Sequence, residues 1–140
     1  MKVVYSYYVL DLMHTGHIYY MKQAKSIAGK DGLSIVGILS DKATMEKKKK
    51  PILPLSERME LAQAVKYNDV VITQDEYSPI NNIKRLKPDV VLESSSHSDD
   101  IIQITINCVE SMKGRVIIIP YTSAYKFSST SIKKGGKKNE

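Results

Sequence analysis

Five short runs of apolar, mostly β-branched residues punctuate the chain, at residues 3–8, 34–39, 70–73, 90–92 and 116–119. None alternates with a polar face, which is the pattern of parallel strands covered on both sides. Between them the period lengthens to that of a helix. Ile18, Met21, Ala24 and Ile27 recur near one face over residues 18–27, with Gly29 or Gly32 placed to stop it. Ser56 stands as an N-cap for residues 57–66, where Met59, Ala62 and Lys66 follow one stripe and Leu61 and Val65 an adjoining one. Ser78-Pro79 opens a short helix as far as Leu86, and residues 101–112 form another, ended by Gly114.

Strand and helix alternating over about 120 residues predict an α/β fold. It is a Rossmann-like, doubly wound, five-stranded parallel sheet with helices on both faces, and its ligands bind outside the carboxyl ends of the strands. One domain covers residues 1–134, and the Gly- and Lys-rich residues 135–140 are expected to form a disordered tail. Residues 40–54 and 121–127 fit no regular element, and long connections in compact domains are usually functional.

Charge narrows the class of ligand. Lysine and arginine number 21 against 15 acidic residues, a formal net charge of +6. The excess is concentrated in residues 46–50 and 133–140, and the rest of the chain is balanced. An evenly basic nucleic-acid coat is therefore excluded, and two local patches await a small anion or a solvated surface. The single cysteine, Cys108, lies in an apolar run and reads as a buried bystander; one thiol excludes an internal disulfide framework. No run is long enough to span a bilayer and no signal-peptide cleavage pattern follows Met1, so a cytoplasmic protein without membrane insertion is expected.

The strongest chemical signal follows the first strand, at His14-Thr15-Gly16-His17. A strand-to-helix junction offers backbone N–H groups and a helix dipole to a phosphate, and glycine permits close approach. Two imidazoles there can donate to charge that develops during phosphoryl transfer. The structural alternative is that His17 caps its helix while His14 packs. A zinc site is weaker, since His97 is the only other histidine and has no partner spacing. Arg58 has its own plain alternative, a helix-surface pair with Glu57 or Glu60. Tyr5, Tyr7 and Tyr8 read as sheet and pocket wall.

Residues 11–17, Asp-Leu-Met-His-Thr-Gly-His, resemble the signature loop of the HxGH-type nucleotidyltransferase superfamily, in its cytidylyltransferase branch. Glycerol-3-phosphate cytidylyltransferases and the sugar-phosphate nucleotidyltransferase domain of lipopolysaccharide-core assembly are similar. Lys47 to Lys50 with Pro51, then Ser56-Glu57-Arg58, resemble the family's lysine loop and the helix after it. Residues 65–71 resemble the lead into the third strand, and residues 127–133 the Ser/Thr signature of the last helix.

The resemblance implies nucleotidyl transfer without a covalent enzyme intermediate. An acceptor phosphate attacks the α-phosphate of a nucleoside triphosphate, CTP foremost, with Mg²⁺, and pyrophosphate leaves. It implies catalytic roles for His14, His17 and Lys49. It implies nucleotide contacts from Val9, Leu10, His14, His17, Lys47, Lys66, Ser128, Ser129 and Thr130. No protein-built metal site is implied. The implied partners are the triphosphate, a small phosphorylated alcohol, sugar or phosphonate, and a second copy in a homodimer, with no nucleic acid. Tyr8 departs from a usual glycine, Tyr121 from a common arginine, and residues 122–126 form a longer loop. Glu93-Ser94-Ser95-Ser96 replaces a Gly-Asp-Asp that helps bind the base. An adenylyltransferase using ATP is therefore the alternative. A catalytically weak nucleotide or nucleic-acid binder built on the lysine patches is a third reading.

Overall fold

Valine, isoleucine and tyrosine runs form five strands: β1 (Val3–Tyr8), β2 (Leu33–Leu39), β3 (Val70–Gln74), β4 (Val90–Ser94) and β5 (Arg115–Ile119). Between them lie α1 (Thr15–Ala28), α2 (Asp41–Met45), α3 (Leu55–Ala64), α4 (Ile80–Leu86) and α5 (Asp99–Ser111). The computed structural model describes residues 1–120. Expectations for Tyr121, the loop 122–126, Ser128, Ser129, Thr130 and the tail 135–140 lie outside the described residues. The sheet order is β3-β2-β1-β4-β5, with every neighbouring pair parallel. The chain moves outward from β1 to β3 and then returns beside β1, so the β1/β4 boundary is a topological switch point.

Alternation along the strands divides the core between two faces, as expected of a doubly wound sheet. Tyr5, Tyr7, Ile35, Leu39 and Val91 pack with Ala43, Ile83 and Val109 of α2, α4 and α5. On the opposite face Val4, Val90 and Leu92 meet Ala24 and Ala28 of α1. Val36 and Ile38 meet Met21 of α1 and Ala62 of α3 there. Full burial of one such aliphatic side chain contributes about 1.5–3 kcal/mol.

Several element ends differ from the sequence pattern, each for a local reason. α1 begins at Thr15 rather than Ile18 because the His14 side chain supplies its cap. α3 begins at Leu55, with Pro54 rather than Ser56 at its N-cap, and Leu55 is drawn onto the cluster between α1 and α3. That helix ends at Ala64, so Lys66 lies beyond it. Residues 40–54 are not irregular throughout: Ser40 Oγ accepts from the Ala43 N–H at 3.1 Å and nucleates α2. Ser98 caps α5 two residues earlier than expected, and Asp99 and Asp100 complement the positive end of that helix.

Two buried charges fasten the lysine-rich connection to the strand tips. Arg58, with no exposed surface, donates to the carbonyls of Val9 (2.8 Å), Leu39 (2.7 Å) and Leu53 (3.0 Å) and to the Asp41 carboxylate (2.7 Å). Asp11, also buried, accepts from the backbone N–H groups of Ile52 and Leu53, each at 2.9 Å. Arg58 is thus not a surface partner of Glu57 or Glu60. Its planar five-donor fork lets one side chain join three chain segments.

Arg58→Met keeps the length of the side chain and removes every donor. Leaving these buried acceptors unpaired should cost about 3–5 kcal/mol, read as a lower urea midpoint with an unchanged slope. A loss below about 1 kcal/mol, the level of a surface pair, would show that the fork is not the fastening.

Candidate active site

α1 starts at the tip of β1, beside the switch point. The chain turns there through Leu10, whose backbone is left-handed (φ 58°) and whose side chain is buried between α1 and α3. His14 is the N-cap of α1, and its Nδ1 accepts from the Gly16 N–H at 3.0 Å. His17, one turn on, accepts from the His14 N–H through its own Nδ1 at 3.2 Å. This is a capping box in which two imidazoles replace the usual hydroxyl and carboxylate. The rings lie 4.0 Å apart between centroids, and Tyr8 packs edge-on to His17 at 6.3 Å.

The caps decide the chemistry of the rings. A neutral imidazole that accepts at Nδ1 carries its proton on Nε2, so each ring keeps one N–H donor for a ligand. Burial lowers the His14 pKa from its ordinary value. Burial first, then the neighbouring His14 and Lys48, lowers His17 to about 3. Both rings are neutral donors at pH 7. Capping and anion binding are therefore not competing readings here, because the caps orient the donors.

A cleft of 290 Å³ opens on the other side of the β1 tip, between Lys47 and Lys48, the Tyr77 and Ile101 side chains, and residues 96–98. His97 stacks on Tyr7 at 5.4 Å, on the α2/α4/α5 face of the sheet, whereas α1 and its histidines belong to the opposite face. Lys48 connects the two places, since it lines the cleft and its charge acts on His17. Beneath His97 the Glu93 side chain is fully buried. Its Oε2 receives the Tyr7 hydroxyl at 2.6 Å and lies 2.9 Å from that of Thr105, and its Oε1 pairs with His97 Nδ1. Burial, and next the Glu93 carboxylate, push the Tyr7 phenol well up, so that it stays protonated and donates.

The structure gathers only some of the residues expected from sequence. His14 and His17 meet, and Lys47 lines the cleft. The Val9 carbonyl is taken by Arg58, and Leu10 contributes its side chain to the core. Lys49 is exposed and is not among the described residues lining the cleft, where Lys48 stands instead. Lys66 is exposed before the amino end of β3, at the opposite end of the parallel sheet from the histidines, with Nζ 5.3 Å from the Tyr67 ring centroid. Within one chain it is not brought to them. Glu93 and His97 are the residues that motif reading did not pair. Their only signal was an acid four positions before a histidine at a strand end.

The cytidylyltransferase-like family model matches residues 9–135. The chain belongs to this family. Among the relatives of this cytidylyltransferase-like chain, the bifunctional protein HldE of Geobacter sulfurreducens is 30% identical over 122 residues, covering 86% of this chain and 24% of the relative. The FAD synthase of Pyrococcus horikoshii is 37% identical over 86 residues, covering 59% of this chain and 55% of the relative. The chain thus spans about a quarter of the one and about half of the other. A lipopolysaccharide core biosynthesis protein from Thermoplasma volcanium shares the fold, with a TM-score of 0.72 at 24% identity over 87% of this chain and 97% of that one.

Neutral, half-buried His17 gives the fold a pH dependence of definite sign. Its folded pKa of about 3 lies below the ordinary 6.5, so the unfolded chain binds the extra proton between these values. Its contribution is whole above pH 6.5 and is lost as the pH falls towards 3. His17→Asn keeps a polar side chain at the cap without a titrating ring, and should lose less Tm than wild type between pH 7 and pH 4. Equal losses would contradict the assignment.

Proposed function

We propose that this cytidylyltransferase-like chain transfers a nucleoside monophosphate from a Mg²⁺-bound nucleoside triphosphate to a small phosphorylated acceptor, with release of pyrophosphate. The observation that carries the reading is the pair of neutral histidines, each with an Nε2–H left for a ligand, at the head of α1. An acceptor phosphate oxygen bonds to the α-phosphorus, and the bond to the bridging oxygen breaks. Pyrophosphate leaves with that electron pair. His14, His17 and the helix N-terminus donate to the α-phosphate oxygens as charge builds. Lys47 and Lys48 offset the repulsion between two anionic substrates, which is the main obstacle to their alignment.

Asp11 is spent on backbone N–H groups, and the groups gathered around the histidines are imidazole and ammonium. Such a set suits a metal carried by the triphosphate, since Mg²⁺ commonly binds through substrate phosphates and its own waters. Bound there, Mg²⁺ would neutralise charge on the phosphates. In this reading Ser128, Ser129 and Thr130 hold phosphate oxygens, and the protein acts as a homodimer in the cytoplasm. Among the described residues no helix is long and apolar enough to cross a membrane.

CTP is the first reading of the donor, from the family. ATP is the second, favoured by relatives named FAD synthase, whose product name contains an adenine nucleotide, and by Glu93-Ser94-Ser95-Ser96 in the base segment. Pyrophosphate release measured with CTP and ATP across phosphorylated acceptors separates the two. With the cognate pair, His14→Asn and His17→Asn should each lower kcat by about 10²–10³, the usual cost of one preorganised donor. Chelation of Mg²⁺ should abolish turnover. Wild-type turnover in both histidine variants would sink the mechanism. Lys48→Ala should raise substrate KM more than Lys49→Ala, and the reverse order would move the clamp to Lys49.

A further inference from the structure

We propose that Glu46 and Gln74 are positioning residues for the lysine wall of the cleft. Gln74 fixes the turn after β3, that turn offers the Tyr77 N–H to Glu46, and Lys47 and Lys48 follow Glu46 at the cleft. Their effect on turnover rests on the transfer reading above; their effect on the lysines does not.

An acidic residue at the head of four lysines would ordinarily weaken their pull on an anion. Glu46 has a mechanical task instead. Its Oε2 accepts from the Tyr77 N–H at 3.1 Å, and this joins the end of α2, where Glu46 is the C-cap, to the loop beyond β3. Lys47 and Lys48 come next, and both N–H groups donate to the Thr44 carbonyl in α2, at 3.2 and 2.9 Å. Lys47, Lys48 and Tyr77 all line the cleft. With five residues, α2 is too short to keep its shape without tertiary anchors. What holds its last turn therefore holds the lysines.

Gln74 makes the Tyr77 N–H a fixed target. It is the last residue of β3 and only 1% exposed. Its Nε2 donates to the carbonyls of Glu76 and Tyr77, each at 3.1 Å, and so folds the loop back onto the strand end. Carbonyls can only accept, which settles the end of the amide that faces them. The other end, Oε1, accepts from the Tyr5 hydroxyl at 2.6 Å, and that hydroxyl accepts from Asn82 Nδ2 at 2.9 Å. The loop is in this way tied to the buried centre of the sheet. Gln74 also sets the start of α2, because its backbone carbonyl accepts from the N–H of the N-cap Ser40 at 3.0 Å. Both ends of α2 are referred to one residue, the first directly and the last through Tyr77 and Glu46. A charge held in advance loses little freedom when a ligand arrives, and affinity gains by that amount.

Two substitutions at one position separate positioning from charge. Glu46→Ala removes the charge and the acceptor, whereas Glu46→Gln removes the charge and keeps an acceptor oxygen. With the cognate pair, Glu46→Ala should raise at least fivefold the substrate KM that Lys48→Ala raises, with kcat within twofold of wild type. Glu46→Gln should stay within twofold of wild type or fall below it. Charge alone lowers KM in both variants, and that result overturns the proposal. So does a wild-type KM in Glu46→Ala, or wild-type KM for both substrates in Lys48→Ala. Gln74→Met keeps the length of the side chain and removes its polar atoms. It should raise the same KM at least fivefold, and adding Glu46→Ala should raise it no more than twofold further, because the two act in series. A lower Tm with unchanged KM makes Gln74 purely structural and overturns its assignment. If Gln74→Met does not fold, the Glu46 pair decides alone. Amide hydrogen exchange at Tyr77 should be at least fivefold faster in Glu46→Ala, with Val36 and Ile38 of β2 unchanged, and an unmoved Tyr77 amide contradicts the link. If no substrate pair releases pyrophosphate, the transfer reading fails by itself, and tripolyphosphate binding then judges the lysines. Its Kd should rise at least fivefold in Glu46→Ala and not in Glu46→Gln. Equal Kd values in wild type and both variants overturn the proposal.

Discussion

The end of the sheet that carries His14 and His17 is held together by one buried guanidinium. Arg58 draws the tips of β1 and β2 and the far end of the lysine connection into a single hydrogen-bonded knot, through the carbonyls of Val9, Leu39 and Leu53. Burying a cation costs several kcal/mol, and only dense compensation makes that tolerable. The compensation here is the fork itself, plus Asp41 as counter-ion. Asp11 is the complementary anion, bonded to the N–H groups of Ile52 and Leu53, so that Leu53 is held from both sides. Four consecutive lysines would otherwise repel one another into solvent. The two buried charges instead hold Lys47 and Lys48 over the cleft.

His14 and His17 acquire their chemistry from the hydrogen bond at Nδ1. Where a backbone N–H points at Nδ1, as at His14 and His17, the ring becomes a neutral donor. At His97 a buried carboxylate faces Nδ1 instead, and it fixes the ring over Tyr7. Lys48 lines the cleft, and its charge acts on His17.

The polar ladder beneath the cleft constrains the fold in turn. Tyr5 and Tyr7 face inward from β1, and their hydroxyls find Gln74, Asn82 and Glu93 on three other elements. Gly37 on β2 makes room for this: a Cβ there would lie 2.0 Å from the Tyr5 hydroxyl oxygen. These groups thread a chain of buried hydrogen bonds through that core face. Such networks specify one arrangement because each member is costly to leave unpaired.

The parallel α/β architecture was legible in sequence because hydrophobic period and β-branching are local properties of the chain. The placement of His14 and His17 at a strand-to-helix junction was legible too, since the same pattern reveals that junction. Lys49 and Lys66 show where that reading ends. Consecutive lysines on a connection are equivalent in sequence, and only the path fastened by Arg58 and Asp11 sets Lys47 and Lys48 at the cleft. Lys66 carries a suitable charge but precedes its strand, and in a parallel sheet that puts it at the end away from His14 and His17. Glu93 and His97 looked like a departure from a motif. Strand register turns Glu93 inward, and helix packing brings Thr105 to it while Tyr7 lies under His97. Sequence by itself determined which groups are available and which elements carry them. Tertiary structure decided which end of the sheet they reach and which of them meet, because both depend on contacts between residues far apart in the chain.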